Sequence, residues 1–160
     1  MLEIILTSTL VLTLFFNGAK RQLIGTVIVT HGNLAAELLK TAEAIAGGKI
    51  DIVSGSIDNN EKPEAIRQKV KTAIKSADKG DGVLILTDMF GGTPSNICIS
   101  FLDELRAEVV SGVNLPMILK VPFMKEKGSL IDAANFIKEY GQKNISVATD
   151  LLHKNQIIKN

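Results

Sequence analysis

The chain has 160 residues, of which 46% are hydrophobic and 22% are charged, and these values fit one globular domain with a core of ordinary size. Its 18 basic and 17 acidic side chains give a net charge of +1, which excludes a strong field for nucleic acid or an acidic membrane surface. Aromatic residues make up 4% of the chain and tryptophan is absent, so a stacking platform for single-stranded nucleic acid is not expected.

The first 22 residues differ in character from the rest. Residues 2–16 are mostly apolar, but they are fewer than the roughly 20 that a membrane-spanning helix needs. They also carry Glu3, where a secretory signal peptide has basic residues. We interpret residues 1–22 as an N-terminal extension, expect the natural chain to start near Leu23, and assign residues 23–160 to one domain. A peripheral anchor or an additional strand is the alternative.

From Leu23 onward, β-rich apolar runs alternate with segments whose apolar residues recur at helical spacing. The predicted strands cover residues 24–30, 50–56, 82–87, 108–112 and 145–148. The predicted helices cover residues 33–46, a segment that starts at Pro63, and residues 94–105 and 129–140. This alternation predicts an α/β fold, with a mostly parallel sheet of four to five strands and helices on both faces. Residues 114–128 are expected to form an irregular apolar loop, either packed in the core or exposed as a contact surface.

Cysteine and histidine are scarce in this chain. Cys98 is the single cysteine, which excludes an internal disulfide, and its apolar neighbours predict a small core residue. The two histidines, His31 and His153, have no second potential ligand three or four residues further on, so no metal site is predicted. His153 lies in a polar tail and is expected to be exposed and without a catalytic role.

Two of the predicted strand ends carry side chains suited to chemistry. The first strand leads into residues 30–33 (THGN), and the third leads into residues 87–96 (TDMFGGTPSN). In an open parallel sheet, ligands bind at the carboxyl ends of the strands. If the two strands are neighbours, His31 and Asp88 lie side by side. Either residue alone is more often a packing or turn residue, but the two together favour a functional site.

A histidine beside a carboxylate is suited to nucleophilic chemistry. The carboxylate fixes the imidazole tautomer through one nitrogen and makes the other nitrogen a better nucleophile. Gly91 and Gly92 allow the backbone to approach a phosphate, so that loop N–H groups face it. Thr93 and Ser95 are candidate hydroxyl donors to the same phosphate.

Other classes of site lack their motifs in this sequence. The chain contains no GxxxxGK[ST] loop and no GxGxxG fingerprint, which argues against the common nucleotide-binding loops. It also contains no Gly-x-Ser-x-Gly elbow, which argues against an α/β-hydrolase.

Three segments carry a resemblance to a known family. They are, in chain order, IGTVIVTHGNLAAELLKTAE, GVLILTDMFGGTPSN and VVSGVNLPMIL. Together they resemble the mannose-type enzyme IIA domain of the bacterial phosphoenolpyruvate-dependent sugar phosphotransferase system. The resemblance runs from about Ile24 through the loop after Gly112, and more loosely to the C-terminus, whereas the N-terminal extension is absent from the family pattern.

The resemblance implies a phosphoryl-carrier subunit. His31 would accept a phosphoryl group from the small carrier protein HPr and pass it to a histidine of enzyme IIB for sugar uptake. Asp88 would support the histidine, and residues 91–94 would shape the phosphate site, with no metal or organic cofactor. The family also implies a cytoplasmic protein that associates with membrane permease subunits, and a homodimer in which a strand from Ile145 crosses to the partner's sheet.

Three alternatives share part of this pattern. The first is a regulatory protein whose His31 phosphorylation state is read by a partner. The second is the phosphoryl-carrier subunit of a dihydroxyacetone kinase, which shares the fold, but its aspartate loop lacks the Gly-Gly-Thr-Pro turn. The third is a small-molecule binding domain that is not phosphorylated.

Overall fold

The computed structural model describes residues 23–58 and 60–150. The expectations for the N-terminal extension and for His153 lie outside these residues. Within the described ranges, no helix is long and apolar enough to cross a membrane.

Strands and helices alternate along the chain. In order, the elements are β1 (Gly25–His31), α1 (Leu34–Ala46), β2 (Val53–Ile57), α2 (Pro63–Ala77), β3 (Val83–Thr87), α3 (Thr93–Ile99), β4 (Ala107–Ser111), α4 (Leu115–Lys120), a 3₁₀ helix (Val121–Glu126) and α5 (Leu130–Lys143). The four strands form one sheet in the order β2-β1-β3-β4, and every neighbouring pair is parallel. The predicted parallel α/β architecture is therefore confirmed.

Alternate residues of the central strands pack against helices on opposite faces of the sheet. Ile28 of β1 and Leu84 of β3 belong to a core with α1, α4 and α5, whereas Val29 and Ile85 belong to a second core with α2 and α3. Strands buried on both faces read as continuous apolar runs, which is why residues 24–30 and 82–87 showed no polar alternation. Cys98 is fully buried in the second core, as predicted.

Helix α1 covers the predicted range of residues 33–46 except for its first residue. Gly47 adopts a left-handed conformation with φ of 69° and ends α1, which is a common role of glycine. Asn33 precedes the helix, but its side chain caps no N–H group. The Thr30 hydroxyl accepts a hydrogen bond from the Ala35 N–H instead, at 2.8 Å, because it lies at the strand end just before the turn.

The segment predicted as an irregular loop is mostly helical. Residues 114–128 contain α4 and the 3₁₀ helix, and the Asn114 side chain caps α4 by accepting from the Met117 N–H. Pro116 lies in the first turn of α4, where proline is tolerated because its missing N–H has no helical partner. The buried Met117 and Met124 show that much of this segment is packed core.

Two further boundaries differ from the prediction. Helix α3 ends at Ile99 rather than at Leu105, and turns fill the space before β4. The predicted strand over residues 145–148 is not formed, since residues 145–147 have no regular structure and 148–150 are helical. The side chains of Ile145 and Val147 are exposed, and a strand needs a neighbour for its hydrogen bonds.

Candidate functional site

The sheet order brings the two predicted strand ends together. Strands β1 and β3 are neighbours, with Val29 opposite Thr87, so His31 at the end of β1 meets Asp88 just after β3. Strands β2 and β4 lie on opposite outer sides of this pair. The site therefore lies at the point where the strand order reverses, which is the usual ligand position in open α/β sheets.

Asp88 holds His31 through both its backbone and its ring. The Asp88 Oδ2 atom accepts a hydrogen bond from the His31 N–H at 3.0 Å and lies 2.7 Å from Nδ1. The Met89 N–H donates to Oδ1 at 2.9 Å. The Asp88 side chain is 13% exposed and that of His31 is 33% exposed, so the carboxylate is shielded while the ring stays open to solvent.

These hydrogen bonds keep the Asp88 carboxyl ionised. Burial is the largest single influence and by itself raises the pKa of Asp88, but the bonds from the His31 N–H, the His31 ring and the Met89 N–H together outweigh it. The pKa of Asp88 is therefore lowered from its ordinary value. The ring thus lies beside a negative charge, as the pairing of these two residue types predicts.

The glycine loop lies directly against the imidazole ring. A Cβ atom added to Gly92 would lie 2.9 Å from His31 Cε1 and 3.5 Å from Nε2, and the first of these distances is so short that the ring or the loop would have to shift. Gly91 has a φ of +79°, in the left-handed region that favours glycine. The two glycines therefore have different roles, since Gly91 makes the turn and Gly92 permits the close approach to His31.

Asn96 also holds this loop, and the sequence reasoning did not single it out. Its side-chain Nδ2 donates to the Gly91 carbonyl at 3.2 Å, and its backbone N–H donates to the Gly92 carbonyl at 3.0 Å. In a helix, each N–H group bonds to the carbonyl four residues earlier. The position of Asn96 four residues after Gly92 was therefore the feature of the sequence that could have identified this bond.

Four successive backbone N–H groups of the glycine loop have no partner in the described part of the chain. Across residues 23–58 and 60–150, no protein acceptor pairs with the N–H groups of Phe90, Gly91, Gly92 and Thr93. Successive free N–H groups form a concavity that suits an anion. The same ranges contain no group of three His, Cys, Asp or Glu side chains that could hold a metal ion.

The two predicted hydroxyl donors occupy different environments. Thr93 is exposed at the start of α3, so its hydroxyl is accessible to a ligand. Ser95 is fully buried, and its hydroxyl lies 3.3 Å from that of Ser111. A buried side chain does not meet a ligand that arrives from solvent, so the geometry places Ser95 behind the site.

Exposed apolar side chains occur in the segments that directly follow His31 and Asp88. Phe90 is 78% exposed, Met89 is 56% exposed and Leu34 is 45% exposed. Beside them, at the ends of β1 and β2, a cleft of about 420 Å³ is lined by polar and charged residues that include Asn33, Glu61 and Lys69.

Comparison with known proteins gives a consistent assignment. The model of the family described as "PTS system fructose IIA component" matches residues 25–138. The fructose-specific EIIA component of Bacillus subtilis is 30% identical over 133 residues, which cover 82% of this chain and 91% of that protein. The mannose-specific EIIAB component of Escherichia coli K12 is 36% identical over 115 residues, which cover 68% of this chain but 34% of that longer protein.

A solved structure supports the same fold. The phosphotransferase system component EIIA of Streptococcus agalactiae superposes with a TM-score of 0.71 at 24% identity, covering 79% of this chain and 98% of that one. The family model and the Bacillus subtilis relative confirm the resemblance seen in the sequence. The chain belongs to the mannose-type enzyme IIA family of the sugar phosphotransferase system, whose members are sugar phosphotransfer subunits.

Proposed function

We propose that this chain carries a phosphoryl group on His31, accepts it from the phosphohistidine of HPr, and passes it to a histidine of enzyme IIB for sugar uptake. The observation that carries the proposal is the 2.7 Å contact between His31 Nδ1 and Asp88 Oδ2, next to a loop with free N–H donors. Family membership supports the class of reaction, and this geometry supports the choice of His31 as the residue that carries the phosphoryl group.

In this proposal the two ring nitrogens of His31 have different roles. The N–H group at Nδ1 donates a hydrogen bond to the Asp88 carboxylate. Nε2 then carries no proton, and its lone pair is available for attack on phosphorus. Nε2 forms a bond to phosphorus as the bond between phosphorus and the HPr imidazole breaks, and that electron pair stays on the HPr ring. The phosphorylated His31 ring is then positively charged, and the Asp88 carboxylate stabilises it.

Transfer to enzyme IIB repeats the same steps in the other direction. A nitrogen of the acceptor histidine attacks phosphorus, and the electron pair of the broken bond returns to Nε2 of His31. The transition state is loose, so positioning and charge stabilisation matter more than further covalent chemistry. The free N–H groups of residues 90–93 supply donors for the phosphoryl oxygens.

The surface around the histidine suits a protein partner. Leu34 lies three residues after His31, whereas Met89 and Phe90 directly follow Asp88, which contacts the ring. All three side chains are exposed, and apolar side chains exposed at a reactive site are typical of a protein contact. We assign this surface to the docking of HPr and enzyme IIB in turn. Association with membrane permease subunits then follows indirectly, through enzyme IIB.

A homodimer is part of the same proposal. Strand β4 lies at one edge of the sheet, and an edge strand has unpaired backbone groups. Ile145 and Val147 have β-branched, exposed side chains and no strand partner within the described part of the chain. If this segment crossed to a second copy, it would pair with the edge strand of that copy.

Light scattering tests this step. A chain shortened to residue 144 is expected to be a monomer, and a dimer of that variant contradicts the crossing.

Reconstitution tests the transfer itself. The purified chain is incubated with enzyme I, HPr and radiolabelled phosphoenolpyruvate, and protein-bound phosphate is counted. We expect label on the wild type and on His153→Ala, which removes the other histidine, and none on His31→Ala. An unlabelled wild type, or a labelled His31→Ala, contradicts the proposal.

Two further measurements resolve the details. Phosphohistidine NMR is expected to place phosphorus on Nε2, and a signal from phosphorylated Nδ1 contradicts the assignment of the nitrogens. Added enzyme IIB is expected to remove the label from His31, whereas label that stays on the chain favours the regulatory alternative.

A further inference from the structure

Three hydroxyl side chains form a hydrogen-bonded cluster that connects the residues before and after the glycine loop to the end of β4. The Ser111 Oγ atom, at the end of β4, lies 2.8 Å from Thr87 Oγ1 and 3.3 Å from Ser95 Oγ. Thr87 is the last residue of β3, Ser95 lies in the first turn of α3, and both are fully buried. The cluster therefore joins the ends of the three elements that enclose the loop.

This cluster interrupts an otherwise apolar layer. The core between the sheet and helices α2 and α3 contains Val83 and Ile85 from β3, Ala107 from β4, and Cys98 and Phe101 from the α3 side. A buried hydroxyl is unfavourable unless it is hydrogen-bonded, and apolar side chains would fill the same space without that condition. Among the described residues, the buried hydroxyl side chains on this face of the sheet are those of Thr87 and Ser95, and both lie at the end that borders the site.

One side of the cluster fixes the residue before Asp88. The Thr87 carbonyl accepts hydrogen bonds from the N–H groups of Gly112 and Val113, both at 2.9 Å. The Thr87 side chain bonds to Ser111 as well. The main chain that leads into Asp88 is therefore attached to the end of β4 at three points.

The other side of the cluster fixes the helix that follows the loop. Ser95 belongs to α3, which begins directly after Gly92, and Gly92 is packed against the His31 ring. A shift of this helix start moves Gly92 relative to the ring. Displacement of a catalytic group by about 1 Å can cost about 100-fold in rate, so the attachment of Ser95 to Ser111 bears on the reaction.

We propose that Ser111 is a positioning residue for phosphoryl transfer, an inference that rests on the proposed function of His31. Its hydroxyl holds Thr87 and Ser95 together. Through them it keeps Asp88 and the glycine loop in register with the imidazole ring, without touching the phosphoryl group.

The test compares three serine variants in the reconstituted transfer from HPr. In Ser111→Ala we expect the maximal rate of phosphorylation to fall about tenfold, within the range that misplaced groups cause. The HPr concentration that gives half-maximal rate is expected to stay unchanged, because the docking surface is intact. Ser111→Thr keeps the hydroxyl and is expected to restore the rate. Ser100→Ala is the matched control, since Ser100 is hydrogen-bonded at the opposite end of the same helix.

A second readout does not depend on phosphorylation. The backbone amide NMR signals of Gly91 and Gly92 are expected to shift in unphosphorylated Ser111→Ala and to stay in place in Ser100→Ala. If Ser111→Ala does not fold, Ser95→Ala removes the weaker contact and is expected to give the same changes to a smaller degree. If both fold, the double variant is expected to lose less than the sum of the two, because both substitutions break one shared bond.

The outcomes separate this inference from the proposed function. A wild-type chain that takes no phosphoryl group contradicts the proposed function, and the amide signals of Gly91 and Gly92 then decide the positioning alone. A folded Ser111→Ala protein with wild-type rate and wild-type amide signals overturns the inference. A changed half-saturating HPr concentration with an unchanged maximal rate overturns it as well.

Discussion

A single carboxylate oxygen, Oδ2 of Asp88, contacts both the backbone N–H of His31 at 3.0 Å and its ring Nδ1 at 2.7 Å. The backbone bond fixes the position of the residue, and the ring bond fixes the orientation of the imidazole. Because β1 and β3 are neighbours, this double contact follows directly from the strand order. The other ring nitrogen, Nε2, takes no part in this contact.

The first prediction concerns this contact. In Asp88→Asn we expect phosphorylation of His31 to slow by about 10- to 100-fold, because hydrogen bonds to charged groups are worth about 1.5–3 kcal/mol. The amide keeps the size of the side chain but removes the negative charge beside the ring. Rapid-quench measurement of transfer from HPr checks the rate, and circular dichroism checks that the domain remains folded. Asp103→Asn, an exposed carboxylate in the turns after α3, is the control, and equal rates for the two variants would contradict the role of Asp88.

The second prediction concerns the close approach of the loop to the ring. Gly92→Ala places a Cβ atom 2.9 Å from His31 Cε1, so either the ring or the loop must move. We expect the transfer rate to fall about 100-fold, the effect of a displacement of about 1 Å. Gly48→Ala is the matched control, since a Cβ atom there meets nothing within 4 Å. Transfer at the wild-type rate by Gly92→Ala would show that the loop does not need to contact the ring.

The sequence predicted the pairing of His31 with Asp88, because apolar runs and glycine turns marked the strand ends. It did not predict α4, because Pro116 indicated a loop although proline is compatible with a first helical turn. Ser95 was expected to contact phosphate, but it precedes the buried Cys98 by about one helical turn and shares its inward face. Spacing along the chain did not reveal the bond from Ser95 to Ser111, since that bond depends on how α3 packs on β4.

The third prediction concerns stability alone. Ser129 and Asp132 form a capping box at the start of α5, in which each side chain accepts from the other's N–H. Ser129→Ala is expected to lower the free energy of unfolding by about 1 kcal/mol, which corresponds to a fall of about 2–4 °C in Tm. Calorimetry measures the change, and Ser129→Thr, which keeps the cap, is the control.

This cap is far from His31, because the next residue, Leu130, lies near Gly82, at the opposite end of β3 from Asp88. The transfer rate of Ser129→Ala is therefore expected to stay unchanged. A loss of rate comparable to that of Asp88→Asn would contradict this separation.

The fourth prediction concerns acid stability. The pKa of Asp88 is lowered in the folded protein, whereas an unfolded aspartate has a pKa of about 3.9. The unfolded state therefore takes up this proton at a higher pH than the folded state. The contribution of Asp88 to the free energy of unfolding is thus complete above about pH 5 and is lost as the pH falls through the pKa of the folded state.

Denaturant unfolding of the wild type and of Asp88→Asn measures this contribution as the difference between their free energies of unfolding. The lowered pKa values of Glu43, Glu61 and Glu104 act in the same direction in both proteins and cancel in that difference. We expect the difference to shrink as the pH falls below about 4, and a difference that grows below that pH would contradict a lowered pKa of Asp88 in the folded protein.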